Sequence, residues 1–248
     1  TERVSQFSEP QPNVVVILLD ALQNDLARSI LQGDPGLAAN LDGFVFHENA
    51  MSVAPSTYGS IPAIHSGVTL QGIPSISDAY TRGIEEHSFL VDLARHGYAT
   101  SVINPMHGVC PNDSAFCSST FVTVDGFFAS TLSQALYLVD LTLFRIAPRE
   151  LRFELYDGGE WLLSGLTSPG GFAQHAAATI RQVTNRMTLD SMSPTAKFLH
   201  LFVAHPPFTV DADCDHTGAL DYSPEGAKAS AHCALRHVAA VVQNLKTR

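Results

Sequence analysis

The chain has 248 residues, 45% of them hydrophobic and 15% charged, which is enough apolar material for a sizeable core and too much for a disordered tail. Fourteen basic residues against twenty-four acidic ones leave a formal net charge of −10 and a pI near 5.4, a balance that repels a phosphate backbone and excludes nucleic acid as a partner. The longest wholly apolar run, Val14 to Leu19, falls far short of the roughly 20 residues that span a bilayer, so the chain reads as soluble.

Residues 1–12 show neither a basic n-region nor an apolar h-region and read as a polar linker ahead of one domain, 13–248. Val14 to Leu19 is β-branched and apolar without alternation, as a strand covered on both faces of a parallel sheet would be, and Asp20 stands at its carboxyl end. Leu22 to Leu31 has helical spacing. Phe44 to Phe46 reads as a second strand, followed by the turn-rich stretch Ala54 to Gly59 and a helix opening within Ile61 to Ser66. Phe89 to His96 predicts a helix stopped by Gly97, and Ala99 to Ile103 the strand after it. Phe121 to Val124 reads as a short strand. Leu132 to Phe144 is strongly apolar but carries Asp140, which favours a packed helix ended by Pro148. Phe172 to Leu189 is helical in character, Phe198 to Val203 strand-like, and Pro224 to Leu245 a long final helix with proline in its first turn. Strands alternating with helices predict an α/β fold, a mostly parallel sheet with helices on both faces.

Ligands of such sheets bind beyond the carboxyl ends of the strands. Three polar clusters are expected there. Asp20 follows six apolar residues, where a carboxylate must be solvated, paired or metal-bound; it is read equally as a cation ligand or as a cap of the next helix. Thr57 lies where Gly59 and Pro62 frame a helix N-terminus. A hydroxyl there can attack phosphorus or sulfur while backbone N–H groups steady the oxyanion, with Ser56 and Ser60 as competitors and an ordinary cap as the plain alternative. His205 precedes Pro206 and Pro207 and is read either as structural or as a contact to a substrate oxyanion or metal.

Four cysteines fall into two local, turn-rich pairs, Cys110 with Cys117 and Cys214 with Cys233, which suggests two disulfides and an oxidising compartment, against the alternative of four free thiols. No C-x₂₋₄-C zinc pair is present. Asp211 to Asp215 opens like an EF-hand loop, but His216 stands where glycine is needed and Tyr222 where glutamate is needed. G-x-S-x-G, Walker A and G-x-G-x-x-G patterns are absent.

Taken together, Pro12 to Asp20, Thr57 with Gly67 ten positions later, and Phe198 to Pro207 resemble the sulfatase-like branch of the alkaline phosphatase superfamily. Thr57 takes the nucleophile's place in that branch's C/S-x-P-S-R segment, with Gly59 and Ile61 in place of its proline and arginine. A threonine cannot be oxidised to formylglycine, so the closer likeness is to the phosphotransferase members, such as lipoteichoic acid synthases and phosphoethanolamine transferases. The resemblance implies an alkaline-phosphatase-like fold in which Asp20 is a metal ligand, Thr57 both ligand and nucleophile, and His205 a contact to the substrate's phosphate or sulfate. It implies a divalent cation (Mn, Ca, Mg or Zn) and a small-molecule, lipid or glycan phosphate or sulfate ester as substrate. It also implies an extracytoplasmic place, periplasmic or at the cell surface, as the soluble domain of a membrane protein whose membrane contact lies outside this chain. The family's remaining ligands come from an S/T-D-H-G-type motif, which does not occur, so the chain is expected to be a catalytic domain missing its C-terminal part, with weak metal binding and poor turnover by itself. The alternative is a non-catalytic extracytoplasmic binding module that keeps the fold.

Overall fold

Strands β1 (Asn13–Leu19), β2 (Ala99–Ile103), β3 (Phe116–Ser118) and β6 (Thr195–Leu201) form one parallel sheet in the order β1-β6-β2-β3 in the computed structural model of the protein. The structure describes residues 2–67, 75–104, 110–118, 131–157, 160–163, 172–220 and 222–248. Two antiparallel pairs lie outside that sheet: β4 (Tyr156–Asp157) with β5 (Glu160–Trp161), and β7 (Phe208–Val210) with β8 (His216–Leu220). The helices are α1 (Glu2–Ser5), α2 (Asn24–Gly33), α3 (Pro35–Asn40), α4 (Thr57–Ser66), α5 (Ile76–Glu85), α6 (Phe89–Arg95), α7 (Thr131–Ile146), α8 (Arg152–Leu155), α9 (Phe172–Asn185) and α10 (Pro224–Thr247).

The missing alternation of β1 has the predicted cause, because both faces of the sheet are covered. Val15, Ile17 and Leu19 pack with Leu199 and Leu201 of β6 against α2, α3, α9 and α10, which contribute Ile30, Leu37, Ile180 and Leu235. The opposite set, Val14, Val16 and Leu18, packs with Phe198, Val102 and Leu90 of α6. Leu18 also meets Ile61 of α4 and Tyr80 and Ile84 of α5. The fold is therefore α/β with helices on both faces of a parallel sheet. Local chemistry sets several boundaries. Asp34, Ser88 and Ser223 cap α3, α6 and α10 through their side chains, Pro224 occupies the first turn of α10, and Gly97 closes the end of α6 at φ +86°.

The structure corrects three expectations. Phe44 to Phe46 is not a strand: it runs as exposed coil, 65%, 76% and 42% accessible, and among the described residues no strand pairs with it to take its backbone hydrogen bonds. β6 starts three residues earlier than the apolar run Phe198 to Val203 suggests and ends at Leu201, which puts buried Lys197 inside the strand and His205 in a turn beyond it. Residues 1–12, read as a linker, are tied to the domain. Val4 and Phe7 are buried in the main core, Phe7 N–H donates to Thr188 O, and Ser8 Oγ donates to Ser191 O at 2.7 Å. The strand expected at 121–124 lies outside the described residues.

This N-terminal segment covers the buried ammonium of Lys197. Nζ donates to Arg3 O at 3.1 Å and sits 4.6 Å from the centre of the Phe7 ring, while burial pushes the lysine down to about 8. Both cysteine pairs are disulfides, Cys110–Cys117 and Cys214–Cys233, which points to an oxidising, extracytoplasmic setting. Among the described residues no helix is long and apolar enough to cross a membrane. Phe7→Ala removes core volume and the aromatic face over Lys197 at once, so it should cost about 3–5 kcal/mol of unfolding free energy in urea titration, where an unattached linker residue would cost nothing measurable.

Candidate functional site

Two chain segments meet at the carboxyl end of the central strands. β1 and β6 run in parallel with Leu18 opposite His200 and Leu19 opposite Leu201, and the ladder continues one step further as Asp20 N–H donates to Leu201 O at 2.9 Å. The carboxylate at the tip of β1 is thereby brought to the His200 imidazole on the adjoining strand. His200 Nε2 lies 3.2 Å from Asp20 Oδ2, with the histidine side chain wholly buried and that of Asp20 15% exposed. The other ring nitrogen, Nδ1, is 3.1 Å from Asn104 Oδ1 at the end of β2, so three neighbouring strands fix one imidazole.

Asp20 is not a helix cap. The residue at the start of α2 is Gln23, and it makes no side-chain cap. Instead Ala21 turns into the left-handed region at φ +61°, unusual for a residue with a Cβ, and its N–H points back to Asp20 Oδ1 at 2.9 Å. Burial pushes the Asp20 carboxyl up. The His200 hydrogen bond, the charges of His200 and then His205, and the Ala21 N–H outweigh burial and hold it below its ordinary value. The carboxylate is therefore ionised at neutral pH.

Thr57 is the first residue of α4, and its hydroxyl stands 3.4 Å from both Asp20 oxygens. It is not the cap either, since that position belongs to Ser56, which makes no side-chain cap bond. The competing hydroxyl of Ser60 is engaged elsewhere, donating to Ala54 O at 3.1 Å and paired with Ser52 Oγ at 2.5 Å, which fastens the loop 52–54 onto α4. Close packing holds the helix in place. Gly83 of α5 approaches so near that a Cβ there would lie 3.0 Å from Pro62 Cβ, and the His65 ring stacks 4.3 Å from Phe198 of β6. His65 Nδ1 is bonded to Ser88 Oγ at 2.8 Å. Burial first, and the charge of His200 second, push it down to about 4, so it serves as a neutral packing group.

Asp20, Thr57 and His205 line one open cleft of about 750 Å³, together with Ser52 to Ser56 and the apolar Met51, Val53 and Ile64. His205 Nδ1–H donates to Pro206 O, which leaves Nε2 as the ring nitrogen to meet a ligand. The structure thus brings the three expected residues together, although from two strand ends and a helix N-terminus and not from three strand ends. His200 and Asn104 were not singled out from the sequence. The available signal was a lone polar residue between Leu199 and Leu201, and an amide directly after Ile103.

The arrangement offers a charged carboxylate, a hydroxyl and a helix N-terminus within one cleft. Hard divalent cations take oxygen ligands of this kind, and the anionic end of a substrate suits the helix N-terminus. Among the described residues a different group, Cys214, Cys233 and His237, has three metal-ligating side chains close together, but its cysteines are joined. No family model and no curated protein matches the chain.

Asp20 ionises below its ordinary value near 3.8, so its pairing stabilises the fold above that pH and is lost as pH falls through the lower folded value. In His200→Ala the burial cost remains while its main counterweight is gone. Carbon-13 NMR of the carboxyl should show Asp20 titrating above the native protein's value; an unchanged titration would mean that the 3.2 Å pair does not hold the charge.

Proposed function

We propose that the chain is a metal-dependent hydrolase or transferase for phosphate or sulfate esters, with Thr57 as the attacking group. The observation that carries this reading is the Thr57 hydroxyl at the first position of a ten-residue helix, 3.4 Å from both oxygens of an ionised Asp20. The resemblance to the sulfatase-like branch of the alkaline phosphatase superfamily, and to its threonine-nucleophile phosphotransferases, assigns the same residues to the same roles.

Asp20 and Thr57 fit a divalent cation by their chemistry, an ionised carboxylate beside a neutral hydroxyl in an open cleft. When bound there, the cation supplies the positive charge that eases loss of the hydroxyl proton and offsets charge developing on the ester oxygens. The protein does the rest. His200 and the Ala21 N–H keep the Asp20 carboxylate ionised and aimed, so it accepts the Thr57 proton as a hydrogen bond and orients the oxygen lone pairs toward the cleft. The N-terminal N–H groups of α4 favour the anionic ester group, and His205 contacts one of its oxygens. Attack by Thr57 Oγ, whose proton passes to solvent, forms an oxygen–phosphorus or oxygen–sulfur bond as the ester oxygen leaves with its electron pair and takes up a proton from water. Water or an acceptor hydroxyl then displaces Thr57 and regenerates it.

Two protein oxygens make a sparse cation site. Asp20 and Thr57 count as two ligands where a site that activates a hydroxyl normally uses three or more, so weak metal affinity and slow turnover belong to this reading. The two disulfides support an extracytoplasmic place for the reaction, at the cell surface or in a periplasm.

The assay uses aryl phosphate, aryl phosphodiester and aryl sulfate with Mn²⁺, Mg²⁺, Ca²⁺ or Zn²⁺. Thr57→Ala should lower metal-dependent turnover by about a thousandfold or more, whereas Thr57→Ser, which keeps the hydroxyl, should retain a measurable share. Turnover that is the same in Thr57→Ala would refute the nucleophile. Metal binding with no turnover on any ester would favour the binding-module alternative.

A further inference from the structure

We propose that Cys214, Cys233 and His237 form a zinc site when the disulfide between the two cysteines is reduced. The proposal is independent of the ester chemistry above and concerns the middle of α10, where the β7–β8 hairpin packs on it.

Cys214 sits in the β7–β8 hairpin, and Cys233 and His237 follow one another on α10 at i and i+4, which puts both on the same face of the helix. The two sulfurs and a ring nitrogen of His237 all lie within 4.8 Å of one another, and all three residues are buried. Tetrahedral zinc, with bonds of about 2.3 Å to sulfur and 2.0–2.1 Å to nitrogen, places such ligand atoms about 3.6–3.8 Å apart. Breaking the sulfur–sulfur bond frees the two cysteine side chains to rotate toward that spacing.

His237 gives the second observation. It is only 8% exposed, yet its Nε2 has no hydrogen-bond partner, a cost that a buried polar atom rarely bears. A neutral imidazole is the form that binds metal. Two thiolates and an imidazole are soft and borderline donors that select zinc over the hard cations suited to Asp20 and Thr57. The two thiolate charges also neutralise the dication, so no net charge is added to the buried pocket.

Bonds other than the disulfide also hold the hairpin on α10. Arg236 donates to Ala212 O at 2.9 Å and to Asp213 Oδ1 at 2.6 Å, and Ser230 Oγ donates to Val210 O at 3.0 Å, so the hairpin stays docked on α10 through bonds that survive reduction. The chemistry balances in two steps. A dithiol reductant gives up two hydrogens and becomes a disulfide while Cys214 and Cys233 become thiols, and Zn²⁺ then replaces the two thiol protons, which pass to solvent. Oxidation closes the site and reduction opens it. The 19-residue separation of the cysteines keeps it invisible to a search for closely spaced zinc pairs.

The test uses the full chain with Cys110→Ser and Cys117→Ser, so that only one disulfide responds. After reduction with a phosphine and its anaerobic removal, Co²⁺ is titrated in. One equivalent should bring up thiolate-to-cobalt charge-transfer bands that Zn²⁺ abolishes, and the oxidised protein should show none. His237→Gln should weaken binding more than about tenfold. Absent bands in the reduced protein, or equal affinity in His237→Gln, would overturn the proposal. Should reduction unfold the chain, circular dichroism decides: return of the native spectrum with Zn²⁺ supports the site, and failure to return refutes it.

Discussion

The contact between Asp20 and His200 is the interaction on which the site depends. A carboxylate at the end of an apolar strand pays a desolvation cost unless something opposes it, and here the opposing group is an imidazole wholly buried in the neighbouring strand. The parallel register of β1 and β6 makes the meeting unavoidable, since Leu18 pairs with His200 and the chain continues two residues to Asp20. Asn104 at the end of β2 then fixes the ring from the other side. The site is thus carried by the tips of three adjoining strands and the start of α4, with residues 51–56 and His205 at its rim outside regular elements.

What that rigid base presents to the cleft follows from helix placement. α4 is pinned by the near approach of Gly83 to Pro62 and by His65 against Phe198, so its first residue has little freedom to move away from Asp20. The left-handed Ala21 closes the chain tightly enough for its N–H to reach back to the carboxylate. A residue with a Cβ in that region is locally unfavourable, and such costs are tolerated where the surroundings hold them in place, often at sites of function.

The parts of the fold legible in the sequence are those governed by local rules. Val14 to Leu19 announced a strand covered on both faces, Gly97 announced the end of α6, and Pro224 the start of α10, because each rests on backbone geometry or on a continuous apolar run. Phe44 to Phe46 looked like a strand by composition, but a strand exists only where another strand receives it, and that is a tertiary fact. Phe7 was hidden for the same reason: one aromatic residue among polar neighbours carries no period, yet it closes the core over Lys197. Asp20, Thr57 and His205 could be picked out as polar residues at element ends. His200 could not, since its role comes from the register of two strands 180 residues apart in the chain.

Asp20 and Thr57 face one cleft with His205 at its edge, and the proposed cation would bind there. Substoichiometric Mn²⁺ added to isotope-labelled protein tests it most directly, because paramagnetic broadening reports even weak and transient occupancy. A cation held by Asp20 and Thr57 should broaden Ala21, Thr57 and His205 selectively, an effect lost in Asp20→Asn while distant residues such as Leu235 stay sharp. Broadening confined to other surfaces, or unchanged in Asp20→Asn, would contradict it.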